Sequence, residues 1–198
     1  MANQWRSRIA ILPRQVFLYD TPDRFVAGTV GTPGERTFFL QASGGGRVTS
    51  VALEKVQVAM LAERLEELLD EVLRRSGGTA PIPAVAPADL EDTAPLDQPL
   101  LEEFRVGTLA LAWDGDDDRI VIEAQAVAEG ESAGESEPLS DEAEGPDVLR
   151  VRIPPAVARA FVKRALAVVA AGRPPCPLCG QPLDPAGHIC PRQNGHRG

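Results

Sequence analysis

Apolar and polar positions along the chain follow two periods, and the change from one to the other happens twice. Short apolar runs come first: Gln15–Tyr19, then Phe25–Val30, Thr37–Ala42 and Arg47–Leu53, separated by Asp20-Thr-Pro-Asp23, Gly31-Thr-Pro-Gly34 and Gly44-Gly-Gly46. Runs of this length between Gly, Pro and Asp turns predict strands. The period then lengthens. Met60, Leu61, Leu65, Leu68, Leu69 and Val72 recur at three- and four-residue steps, with Glu63, Glu66, Glu67, Asp70 and Glu71 on the other side. That pattern predicts an amphipathic helix with a solvated acidic face, stopped near Gly77. Asp70–Arg74 and Glu71–Arg75 have the four-residue spacing of helical ion pairs.

The second half repeats the order. Val106–Trp113 and Arg119–Val127 alternate as strands around Asp114-Gly-Asp-Asp-Asp118, and Val148–Ile153 follows. Pro154-Pro155 suits a helix start, Val157, Phe161, Ala165, Val168 and Val169 form its apolar face, and Gly172 ends it. The aspartate run lacks the distal Glu and flanking helices of a calcium loop, so it is read as a hairpin turn.

Two strand-strand-strand-helix halves point to an internal duplication. Val51–Leu69 aligns without gaps onto Val151–Val169, with Arg64 on Arg164 and Leu61 on Phe161. Upstream, Arg36-Thr-Phe38-Phe-Leu40 falls on Arg119-Ile-Val121-Ile-Glu123, and Arg24 and Arg105 each precede the first strand of a half. The predicted class is α+β: a mainly antiparallel sheet with two helices on one face, because a single three-stranded unit is small for a stable core. The expected organisation is a duplicated domain over residues 1–172 and a tail over 173–198. Within the domain the first unit spans about 14–76, an acidic Pro-rich linker 77–103, and the second unit 104–172 with an acidic loop at 128–147. The linker composition argues against a core of its own.

Charge sharpens this picture. The net charge of −9 comes from two base-free stretches, 76–103 with six acids and 128–147 with eight; outside them 15 acids face 20 bases, of which 18 are Arg. High-GC codon usage alone would favour Arg, Ala, Gly and Pro. Yet Arg150 and Arg152 share one face of their strand, opposite Leu149, Val151 and Ile153, and Arg36 and Arg119 each open a second strand. An Arg-lined face suits phosphate or carboxylate groups through bidentate hydrogen bonds; a solvated face, or contact with the chain's own acidic loops, are the alternatives.

Chemistry concentrates in the tail. All three cysteines and both histidines lie in the stretch from Cys176 to His196. Cys176-x-x-Cys179 followed by Gly180 has the spacing of a metal knuckle, and Gly187-His188-Ile-Cys190 supplies a second pair, so Cys176, Cys179, His188 and Cys190 are the expected zinc ligands. His196 is the alternative to His188. The prolines around the first pair disfavour a helix-borne redox motif. Four candidate ligands suggest a closed, structural ion rather than a catalytic one. No Ser/His/Asp or Cys/His arrangement is left over, and an enzyme built on carboxylates from separate loops is the remaining catalytic reading. No apolar run approaches the roughly 20 residues that cross a bilayer, no leader pattern opens the chain, and the cysteines do not form a disulfide framework; the expectation is a cytoplasmic protein. Nucleic acid as partner is disfavoured by overall acidity and few aromatics.

The segments Arg24-Phe-Val-Ala-Gly-Thr-Val-Gly31, Ser50-Val-Ala-Leu-Glu-Lys55 and the tail from Cys176 to Gly195 together resemble an uncharacterised family of actinobacterial proteins with no assigned activity. The resemblance spans nearly the whole chain apart from the acidic inserts and carries over no catalytic residue. Members are often encoded near a histidine-phosphatase-like protein and one resembling phosphoinositide kinases, which implies a phosphate-related or multi-protein setting. The sequence thus leads to a non-catalytic zinc-binding interaction protein whose partner is another protein. A phosphorylated small molecule bound at Arg36, Arg119, Arg150 and Arg152 is the alternative.

Overall fold

A computed structural model describes residues 14–127, 145–172, 176–180, 190 and 192. Seven strands form one sheet: β1 (Val16–Asp20), β2 (Arg24–Val30), β3 (Thr37–Gly44), β4 (Arg47–Leu53), β5 (Glu102–Asp114), β6 (Arg119–Ala126) and β7 (Val148–Ile153). Helix α1 (Lys55–Arg75) follows β4 and helix α2 (Pro155–Ala170) follows β7. The strand order is β1-β7-β6-β5-β4-β3-β2, antiparallel except for β1 with β7 and β4 with β5. This is the expected α+β architecture. The β3–β4 hairpin turns on Gly45 and Gly46, whose φ of 60° and 75° are the left-handed values a two-residue turn requires.

Strand pairing makes the duplication explicit. Phe38 and Leu40 face Leu53 and Val51, as Ile120 and Ile122 face Ile153 and Val151. The antiparallel partners of β3 and β6 continue the match: Phe25 and Ala27 in β2 take the places of Leu109 and Leu111 in β5. β1 completes it. It pairs parallel with β7, as the first residues of β5 pair parallel with β4. The broken pair β1–β2 therefore corresponds to the single long strand β5. The break falls at Thr21-Pro22-Asp23, where Thr21 adopts a φ of 65°. Thus β1, although it falls within the first unit as bounded by sequence (about 14–76), completes the edge of the second.

Two details of the sequence alignment change. It placed Leu40 on Glu123, whereas the pairing places Gln41 there, and a one-residue slip moves every side chain to the other face. Arg24 likewise matches Thr108, and Arg105, which pairs with Ala52 as Asp20 pairs with Arg152, matches Asp20. Sparse identity in short strands leaves such a slip invisible until pairing fixes it.

The sheet must curl. Its two edge strands are joined through three residues, a path of at most about 15 Å, whereas six flat strand spacings would separate them by about 29 Å. Tyr19 Oη and Thr49 Oγ1 lie 2.8 Å apart across this closure, and Arg47 donates to the Leu18 carbonyl at 2.9 Å. The inner face and both helices share one core containing Phe25, Leu40, Val51, Leu65, Ile122, Val151 and Phe161. Each helix crosses to the other unit: α1 packs on β5 and β3, and α2 on β2 and β6. The apolar stripe of α1 is Val58, Leu61, Ala62, Leu65 and Leu69. Met60, counted in that stripe from spacing alone, is 52% exposed. In α2, Val157, Val168 and Val169 are half-buried, while Ala158, Val162 and Arg159 are buried. Arg159 pairs with Asp70 and donates to the Pro83 carbonyl, so Asp70 serves the helix pair, and Glu71 holds both Arg74 and Arg75.

The segment between the units is laid across the fold. Ile82 joins the inner core, a short 3-10 turn at Ala88–Leu90 lies on α2, and Leu96 and Leu100 pack with Val26, Phe39 and Ala52 on the outer face. We call it the strap. Arg24 binds Asp92, Asp97 and the Ala94 and Pro95 carbonyls, and Arg164 binds Asp92 and Ala94. Composition suggested a segment too polar to pack; a few apolar residues and two arginine clamps suffice because the faces that receive it belong to the units.

Candidate metal centre

Beyond α2 the chain brings Cys176, Cys179 and Cys190 together, their sulfurs all within 4.8 Å of one another. The Gly180 N–H donates to the Cys176 carbonyl at 2.8 Å, and Gly180 takes a φ of 76°, closing the tight turn that points both thiols of the pair to one side. Cys176 and Cys190 are buried with Sγ atoms 3.9 Å apart, and none of the three cysteines is in a disulfide. That separation is far beyond the roughly 2.05 Å of a disulfide. It matches the about 3.8 Å between two sulfurs on one tetrahedral ion with metal–sulfur bonds of about 2.3 Å.

The electrostatics agree with thiolates. The backbone N–H groups of Cys179 and Leu178 point at the Cys176 sulfur and hold its pKa below the ordinary thiol value. Arg192 donates to the Leu178 carbonyl at 2.9 Å, placing a cation beside the turn. Three converging soft donors with backbone N–H support fit a thiophilic metal. His188 and His196, the candidates for a fourth ligand, lie outside the described residues.

The four arginines expected to form a binding face are not gathered into one site. Arg150 lies on the outer face of β7 and donates to Glu123 at 2.8 Å. Arg152, two residues on, binds Asp20, Asp114 and Asp117, and these bonds raise its pKa and lower that of Asp114. Arg119 opens β6 in register with Asp114. Arg36 is in the other unit and donates to the Ala171 carbonyl at the end of α2; with Lys55 it borders a cavity of about 680 Å³.

Sequence reasoning missed the buried polar pair at the centre of each outer face. Gln41 exchanges hydrogen bonds with the Asp97 backbone and donates to Ser50 at 3.0 Å. Its counterpart Glu123, fully buried, faces Arg150 and Arg14, the latter at 3.6 Å. The signal was present: Gln41 and Glu123 each interrupt an apolar strand, Leu40-Gln-Ala42 and Ile122-Glu-Ala124.

Fold and thiol cluster together define an α+β protein built from two matching units, with a three-cysteine cluster beyond the second helix. The chain belongs to the family described as Protein of unknown function (DUF3090), whose model matches residues 17–190 and so takes in both units and all three cysteines. No curated protein and no solved structure matches the chain. Among the described residues no helix is long and apolar enough to cross a membrane.

Proposed function

We propose that this protein is a cytoplasmic, non-catalytic interaction protein whose C-terminal segment is fixed by one zinc ion. The ion is held by Cys176, Cys179 and Cys190, with His188 as fourth ligand, and the knuckle presents a surface to a partner protein. The convergence of three cysteine sulfurs at metal-sharing distance carries this reading. So short a segment has little core, and a metal supplies the folding free energy that burial cannot. A closed ligand set leaves no open coordination position for chemistry.

The test is metal analysis of the full chain purified without chelator. About one zinc per chain is expected, and none after Cys176→Ser with Cys179→Ser. Absence of zinc in the parent, or retention in the double variant, rejects the site. Comparing His188→Ala with His196→Ala assigns the fourth ligand. Partner capture by the intact chain and by a chain ending at Gly172 then separates the knuckle from the sheet as the interface.

A second reading, binding of a phosphorylated small molecule, is favoured by one feature, the Arg36–Lys55 cavity. Saturable pyrophosphate binding lost in Arg36→Ala with Lys55→Ala would support it; no binding, or binding unchanged in that variant, rejects it.

A further inference from the structure

The duplication makes two grooves directly comparable. In one, α2 lies on β2, with the Phe161 and Phe25 rings stacked at 4.7 Å, and the strap occupies the opening with Leu90 and Asp92. Arg164 organises that contact: Nε donates to the Ala27 carbonyl at 2.7 Å, Nη1 to the Asp92 carboxylate at 2.7 Å, and Nη2 to the Ala94 carbonyl at 2.7 Å. In the other, α1 lies on β5, and Met60, Leu61, Arg64, Leu109 and Leu111 surround a cavity of about 450 Å³. Arg64 holds the position of Arg164, and Leu111 that of Ala27. Among the described residues, no strap segment fills this second groove. Met60 is half exposed, and among the described residues Arg64 pairs only with Glu67, in an exposed contact of the kind worth little in water.

We propose that the α1–β5 groove docks an extended peptide segment of another protein, with a leucine followed two residues later by an aspartate for Arg64. The strap is the pattern for this occupant, since it lies across the equivalent helix and strand with that spacing. One difference specifies the partner further. Lys163 pairs with Glu91 of the strap, but Glu63 stands at the matching position of α1. The docked segment therefore carries a basic residue between its leucine and aspartate, where an acid would face a like charge. The inference does not rest on the metal, which lies in a separate part of the chain.

The experiment uses the full chain and two labelled peptides followed by fluorescence anisotropy. One has the strap sequence Pro-Ala-Asp-Leu-Glu-Asp-Thr-Ala-Pro-Leu, and the other carries Lys in place of its Glu. The Lys peptide is expected to bind saturably and about tenfold tighter than the Glu peptide. Arg64→Ala should weaken it by about tenfold or more, with unchanged circular dichroism and melting temperature, and Glu63→Lys should reverse the preference between peptides. Absence of saturable binding, indifference to Arg64→Ala, or a preference that Glu63→Lys leaves unchanged would overturn the proposal. So would binding that appears only after residues 128–147 are replaced by a short Gly-Ser link, because the chain itself would then be the occupant.

Discussion

The two units agree on the inner face of the sheet and part company on the outer one. Inward positions pair apolar with apolar in both: Leu40 with Val51, and Ile122 with Val151. Outward, the first unit has Gln41 beside Ser50 under the strap, and the second has Glu123 beside Arg150. The inner face is constrained by a core that both units share, so a change in one must suit the other. The outer faces share no such core, and there a neutral amide that binds strap backbone has the counterpart of a buried ion pair. The duplicated core is the common frame, and the outer faces are where the copies differ.

The sharpest way to break this comparison is to truncate both central residues. Glu123→Ala leaves Arg14 and Arg150 without their buried carboxylate and is expected to destabilise by about 3–5 kcal/mol, whereas Gln41→Ala should cost about 1–3 kcal/mol. Urea denaturation of both variants measures the difference, and equal losses would mean the two outer faces are energetically alike.

Next comes the strap clamp. The hydrogen bond from Arg24, foremost, holds the Asp92 carboxyl below its ordinary pKa. Its folded-state value is lower than its unfolded one, so the stabilisation is complete above the usual carboxylate pKa of about 4 and fades as pH falls through the folded value. Asp92→Asn should lower stability at pH 7 by about 1.5–3 kcal/mol and flatten its loss as pH falls below about 4. A variant with unchanged acid sensitivity would remove Asp92 from the clamp.

A smaller effect separates the outer faces at a single matched position. Gly28 lies under the strap, where an added Cβ would meet Leu96 at 2.6 Å; its counterpart in β5 is already Ala112. Gly28→Ala is expected to cost about 1–3 kcal/mol through overpacking, and Ala112→Gly only about 0.5–1 kcal/mol through backbone entropy. Chemical denaturation should rank them in that order. The smallest expected effect is a gain: Thr21, at the break that divides β1 from β2, has a left-handed φ that a β-branched residue tolerates poorly. Thr21→Gly should stabilise by up to about 1 kcal/mol, read as a raised urea midpoint.

Local pattern alone determined a good deal about this protein. Strand and helix periods located the elements of both units, the gapless match of Val51–Leu69 to Val151–Val169 exposed the repeat, and cysteine spacing picked out the three residues whose sulfurs converge. These are short-range signals, carried by side-chain periodicity and turn chemistry within a few residues. Only the tertiary structure decided the rest. That β1 completes the second unit, that Gln41 rather than Leu40 matches Glu123, and that a Pro-rich acidic segment packs on both faces all depend on pairings between residues far apart in sequence. So do the partners of the arginines: Arg24 and Arg164 meet on Asp92, and Arg152 is taken up by three aspartates. A charge in a sequence has no partner until the fold supplies one.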